Sequence, residues 1–313
     1  MSTTPAAPTS STTTMSNPPG QTTAVTNSNN KLQPVNYANI VAFVVNLVVT
    51  FGSSQFLPDN AELSAKYQTL VTPAGYAFAI WGIIFTAELV WTVVQTIPSY
   101  RSNTLIIKGV GYNFVWACVA QAAWSIMFGL EHITLSLIAM VLILIPLVMA
   151  VTQMERLTTT TTTTTTKDYW LLKFPIQIHT AWIMAATLVN LNVVLVATNV
   201  SATGQATAAM ISLGIVLSVG LFYITKQLWV VPGVLAWATF AIASELQQPR
   251  DSIVATFTEK TIEQTRVTAM VVASTVVALA IAKILYSRII GGGNRPSSSS
   301  VENETNTDYN PIS

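Results

Sequence analysis

The chain has 313 residues, 51% of them hydrophobic and 9% charged, where soluble domains carry about a quarter charged residues, so it reads as an integral membrane protein. A formal charge of +1 without any basic block excludes a polyanionic partner, and no nucleic acid is expected. One cysteine, Cys118, lies inside an apolar segment and leaves neither a disulfide framework nor a thiolate cluster for a metal.

Residues 1–35 form a Ser/Thr/Pro-rich tail whose first charge is Lys31. It cannot bury a core and is expected to be disordered. It also lacks the basic and apolar regions of a secretory signal and the arginines of a transit peptide. Eight apolar segments follow, near 36–52, 74–97, 109–129, 133–152, 174–199, 207–225, 229–245 and 267–287. A membrane span needs about 20 residues, so these predict an all-α fold: a polytopic helical membrane bundle of about eight transmembrane helices over residues 36–288. Between the first two segments, residues 53–72 carry Asp59, Glu62 and Lys66 among apolar positions. They read either as a partly helical cap over the outer mouth or as a solvated loop. Pro73 and Gly75 then mark a corner, with proline at a helix start and glycine permitting close approach of another helix. A Thr-rich loop is expected at 155–168, around the run Thr158–Thr166, and residues 289–313 form a second disordered tail.

Alternating the loops gives the topology. Lys31, Arg101, Lys108, Arg156, Lys167, Lys173, Lys226, Lys283, Arg288 and Arg295 fall on one side, against Lys66, Arg250, Lys260 and Arg266 on the other. The bias supports eight spans with both termini cytoplasmic. Asn199-Val200-Ser201 is then an exterior glycosylation sequon crowded against a helix end.

Polar side chains inside spans must face one another or a cavity. Glu88 is the one acid well inside a span. An ionised acid there costs about 3 kcal/mol on insertion scales, and no Lys or Arg lies at its depth, so a protonated, hydrogen-bonded carboxyl is expected. Helical spacing puts Trp81, Phe85, Glu88, Trp91 or Thr92, and Gln95 on one stripe of the second segment,. The third segment offers Asn113, Trp116, Ala120 and Trp124, with Gln121 nearby, and the fifth offers His179, Trp182, Ala186 and Asn190, with Asn192 one position off. These three helices are expected to enclose a pocket. Trp170 and Trp229 suit interfacial belts, whereas Trp81, Trp116, Trp124, Trp182 and Trp237 lie too deep for one. Deep indoles suit stacking on a flat apolar ligand. The competing account is helix packing, with Asn and Gln as interhelical glue. The candidate ligand-binding residues are Trp81, Phe85, Glu88, Trp91, Asn113, Trp116, Trp124, Trp182 and Asn190.

The run Asn60, Ser64, Lys66-Tyr67, Thr69-Leu70, Thr72-Pro73-Ala74-Gly75-Tyr76, Phe78, Ile80-Trp81-Gly82 resembles the loop and second helix of the tryptophan-rich sensory proteins, which are grouped with the translocator proteins. Trp182 with Ala186-Thr187 and Asn190 resembles a later stretch of that family, with Ala181 in place of its glycine, and Trp229, Pro232 and Trp237 form a third match. The resemblance implies an all-helical membrane fold and binding of tetrapyrroles or sterol-like molecules. Translocator proteins have five helices, fewer than the eight segments counted here.

With two histidines and no HExxH, CxxC or carboxylate cluster, no metal, cofactor or enzymatic activity is expected,. Nucleophile elbows, Walker loops and dinucleotide fingerprints are also missing. His132 beside Glu131 reads as a solvated turn with some capacity to sense pH, and His179 as an interfacial hydrogen-bonder. The leading function is binding or sensing an apolar planar ligand, tetrapyrrole or sterol-like. A proton-coupled secondary transporter using Glu88 is the alternative, supported by a loose echo between Val71–Glu88 and Val230–Glu245 as inverted repeats,. A structural role is the third. The partners expected are membrane lipid and such a small molecule, with a homo-oligomer left open.

Overall fold

The structure, a computed structural model, describes residues 31–53, 55–58, 60–161 and 164–292. Most of the expected N-terminal tail, the C-terminal tail beyond residue 292, Asp59 and part of the threonine run lie outside them. Hydrocarbon offers no partner for backbone N–H and C=O groups, so an apolar segment must close its own ladder as a helix. Each of the eight segments does so, and no strand occurs among the described residues.

In chain order the helices are α1 (Pro34–Ser53), α2 (Asn60–Lys66), α3 (Ile80–Val94), α4 (Asn113–Gly129), α5 (Ile133–Thr161), α6 (Thr166–Asp168), α7 (Phe174–Ala197), α8 (Ala202–Thr225), α9 (Val230–Glu245), α10 (Asp251–Thr256) and α11 (Glu259–Gly292). A 3₁₀ turn, Gly75–Ala79, leads into α3, and π-type turns Leu105–Val110 and Tyr169–Lys173 precede α4 and α7. Among the described residues, six continuous helical stretches are long and apolar enough to cross a membrane. The other two, α4 and α9, have 17 and 16 residues, or about 24–26 Å against a hydrocarbon core of about 30 Å.

α7 is the central element and packs against α3, α5, α8 and α9. On one side α1, α4 and α5 pack in sequence, and on the other α11 packs on both α8 and α9. The α3–α4 and α5–α7 connections meet at one end, where the Lys167 ammonium lies 5.8 Å from the Tyr100 ring. At the opposite end, the Lys66 ammonium meets the Glu131 carboxylate in the α4–α5 turn.

The segment before α3 is a cap and not a solvated loop. Gln68, Thr69, Leu70, Val71 and Thr72 are all buried, as is Leu63 of α2. Thr72 Oγ1 accepts the Thr69 N–H, and Ala74 N–H donates to the Ala241 carbonyl at 3.0 Å, pinning the corner to α9. Gly75 does not serve the close approach read from the sequence, because a Cβ there would meet nothing within 4 Å. Close approach occurs instead at Gly220 of α8, where a Cβ would come within 3.1 Å of Val276 on α11. α5 runs on to Thr161 where a loop from 155 was expected, and the hydroxyls of Thr158, Thr159 and Thr160 bond back to carbonyls one turn earlier. Ser201 of the sequon N-caps α8 by accepting the Gly204 N–H,.

Candidate functional site

Three deep indoles converge on one cavity. Trp81 comes from α3, Trp124 from α4 and Trp182 from α7. The cap supplies Val71, Pro73 and Phe78, and Ser212 of α8 and Thr239 of α9 complete the wall. The rings meet edge to face: Trp81 and Trp182 have centroids 6.3 Å apart at 83°, and Phe78 meets Trp182 at 5.9 Å and 83°. That geometry sets the electropositive ring edge against the π face. Trp124 stacks on Phe128 and donates its Nε1–H to Asn190 Oδ1 at 3.4 Å. The Asn190 amide donates in turn to Ser136 Oγ at 3.2 Å. Trp182 Nε1 is buried with no acceptor among the described residues. The free space at the centre is about 70 Å³.

Behind Trp81 lies a buried acid–base pair. Glu88 Oε1 and His179 Nδ1 are 2.5 Å apart, and both residues are 0% exposed. The Trp81 ring packs edge-on against the imidazole at 5.9 Å. The expectation of a hydrogen-bonded carboxyl is thus met by a partner that the sequence reading placed at the interface. His179 is deep because its helical stretch begins at Thr166, well before Phe174. Along α3, Gln95 Oε1 accepts from the amides of Asn36 and Asn39 on α1.

A family profile described as TSPO-like protein matches residues 36–286. The chain belongs to the TSPO-like protein family. The resemblance carried by residues 60–82 is borne out by that match, which spans the helical bundle. Comparison with curated proteins and with solved structures gives no match.

In this TSPO-like protein, four of the nine candidate residues line the cavity: Trp81, Trp124, Trp182 and Asn190. Phe85 stacks on the outer side of Trp81 at 5.4 Å and meets Phe51 at 5.5 Å. Glu88 lies behind the indoles, and Trp91, 0% exposed, packs on Phe114 at 4.8 Å. Asn113 is half-buried at the start of α4. Trp116 does not line this cavity: it is 66% exposed on the outer face. The stripe that joined it to Trp124 used two steps of four, which at about 100° per residue overshoot by about 80°. Trp237, grouped with the deep indoles, is also outward and meets Tyr76 edge-on at 5.2 Å. The sequence reading missed the contributions of α8 and α9, whose cavity-lining residues are small polar and aliphatic side chains such as Ser212, Leu213 and Thr239. It also missed Asn36, Asn39 and Asn46, all 0% exposed, although three amides on one face of an apolar span are a legible signal.

At the cap end of the bundle, Lys66 Nζ and Tyr67 Oη both donate to Glu131 Oε2, at 2.5 and 2.6 Å. These donors hold the Glu131 carboxyl below its ordinary 4.5, and the same contact raises Lys66 above 10.5. The contribution of Glu131 is therefore present above its unfolded value and lost as pH falls through the lowered folded value. That of Lys66 is lost only as pH rises through its own raised value. The clip holds the cap closed across neutral pH. Glu131→Gln is expected to speed amide hydrogen exchange of residues 62–72 severalfold at pH 7, with α5 unchanged. Equal protection in variant and parent would show that the cap is held by burial alone.

Proposed function

We propose that this multi-pass membrane protein binds an apolar planar molecule, tetrapyrrole or sterol-like, among Trp81, Trp124 and Trp182. The observation that carries the reading is the convergence of these three indoles on one cavity with Asn190 as its polar anchor. Aromatic walls with a few placed polar groups are the usual make-up of small-molecule sites. The free centre of about 70 Å³ is below the roughly 300–1,000 Å³ of sites that enclose drug-sized ligands. Seating such a molecule therefore requires the cap to part and the edge-to-face rings to turn flat against it. The test is titration of the protein in nanodiscs with protoporphyrin IX and, in competition, a sterol. Saturable binding is expected to weaken at least about tenfold, about 1.4 kcal/mol, in Trp182→Ala and to persist in Trp116→Phe. Identical isotherms for both variants would reduce the interaction to partition into lipid.

The same reading places both termini in the cytoplasm, supported by the ten basic residues on that side against four on the other,. Fusion of a compartment-specific reporter to either terminus checks it, and a signal from the exterior would reverse the topology.

A further inference from the structure

A second set of buried polar groups takes no part in the ligand reading. Glu88, Thr92 and Gln95 follow one another on successive turns of one α3 stripe, and all three are buried. Among the described residues, Glu88 Oε2, His179 Nε2, Thr92 Oγ1, Gln95 Nε2 and Asn39 Oδ1 have no hydrogen-bond partner. An unsatisfied buried polar atom costs about 1–3 kcal/mol, and such atoms are ordinarily satisfied by ordered water. These five atoms run from Glu88 and His179 through Thr92 and Gln95 to Asn39, a column of polar groups that ordered water would satisfy,. The column has a direction. Gln95 lies just past the end of α3 and accepts from Asn36 and Asn39, and Asn36 Oδ1 accepts the N–H of Gln33 at the bundle surface.

We infer that Glu88 and His179 form a proton-binding site in exchange with the end of the bundle where α1 begins, through Thr92, Gln95, Asn39 and Asn36. A proton delivered by water at that end becomes the O–H of Glu88 or the second N–H of His179, and its release returns carboxylate and neutral imidazole. No electron moves, and the 2.5 Å contact keeps the proton within the pair.

The surroundings leave the pair to itself. From α4 it faces the buried thiol of Cys118. The π-type turn packed on α3 brings Tyr169 and Lys173, and Lys173 is engaged by Glu155 at 2.7 Å. Tyr37 of α1 and Tyr76 of the 3₁₀ turn are exposed, at 56% and 44%. Among the described residues only His179 hydrogen-bonds Glu88. The inference rests on this geometry and not on the cavity, so it stands or falls apart from ligand binding. It also supplies what the transport alternative for Glu88 needs, an acid in contact with one face of the membrane.

Difference infrared spectroscopy of the full chain in nanodiscs tests it. A carboxyl band is expected that vanishes in Glu88→Gln, changes amplitude with bulk pH and shifts in D₂O. Thr92→Val and Gln95→Leu, each checked for native helicity and monodispersity, are expected to slow the D₂O shift at least tenfold while keeping the band. Trp81 emission, read through its edge contact with the imidazole, follows the same pH course and loses it in His179→Gln. A band indifferent to bulk pH and D₂O, or one that exchanges as fast in both column variants as in the parent, overturns the inference.

Discussion

Glu88→Leu and His179→Leu each lower the stability of the bundle by about 3–5 kcal/mol, while the double variant loses less than either single change. The asymmetry follows from burial. Both side chains are 0% exposed and each hydrogen-bonds the other, so deleting one leaves its partner alone in a medium that solvates it poorly. Deleting both removes two polar groups together, and two leucines fill the space with apolar contact. Reversible unfolding in mixed micelles, titrated with denaturing detergent, measures all three changes and closes the double-mutant cycle. Small, additive losses would mean that the two residues do not depend on each other.

Trp91→Ala costs about 3–5 kcal/mol, in line with large-to-small changes at packed core positions. Trp116→Ala, one helix away, stays within about 0.5 kcal/mol. The indole of Trp91 is fully enclosed against Phe114, whereas that of Trp116 is 66% exposed on the outer face, where lipid replaces what is removed. Trp91→Phe separates ring packing from the indole N–H. Its Nε1 has no acceptor among the described residues, so phenylalanine keeps most of the contact and discards an unsatisfied donor, with a loss under about 1.5 kcal/mol. The same micelle titration reads these variants, and equal losses at positions 91 and 116 would contradict the assigned faces of α3 and α4.

Much of the architecture was legible in the sequence because hydrocarbon allows few solutions. Eight apolar segments became eight helical stretches, and the α3 stripe from Trp81 to Gln95 faces inward at Glu88, Trp91 and Gln95. The motif around Pro73 and Trp81 was enough to indicate the family. What escaped was information carried by neighbours. The partner of Glu88 was hidden because the apolar run beginning at Phe174 does not show that the helical stretch starts at Thr166. The orientation of Trp116 was lost to accumulated helical drift. The cap has the composition of a loop, yet Gln68 and Thr69 are buried within it, since local hydrogen bonds satisfy a polar segment that hydropathy alone assigns to water. Of the cavity, the indoles could be read from residue type and depth. Ser212 and Thr239 could not, being ordinary small polar residues until α8 and α9 bring them to the same wall.

Trp182 and His179 stand one turn apart on α7, one against the cavity and the other against Glu88. Under the proposed function, a molecule that turns the Trp182 ring also displaces Trp81, whose ring meets both Trp182 and the His179 imidazole. Reciprocity of coupled equilibria then fixes a quantitative bond between the two events: by whatever factor occupancy changes the affinity for a proton, protonation changes the affinity for the occupant by the same factor.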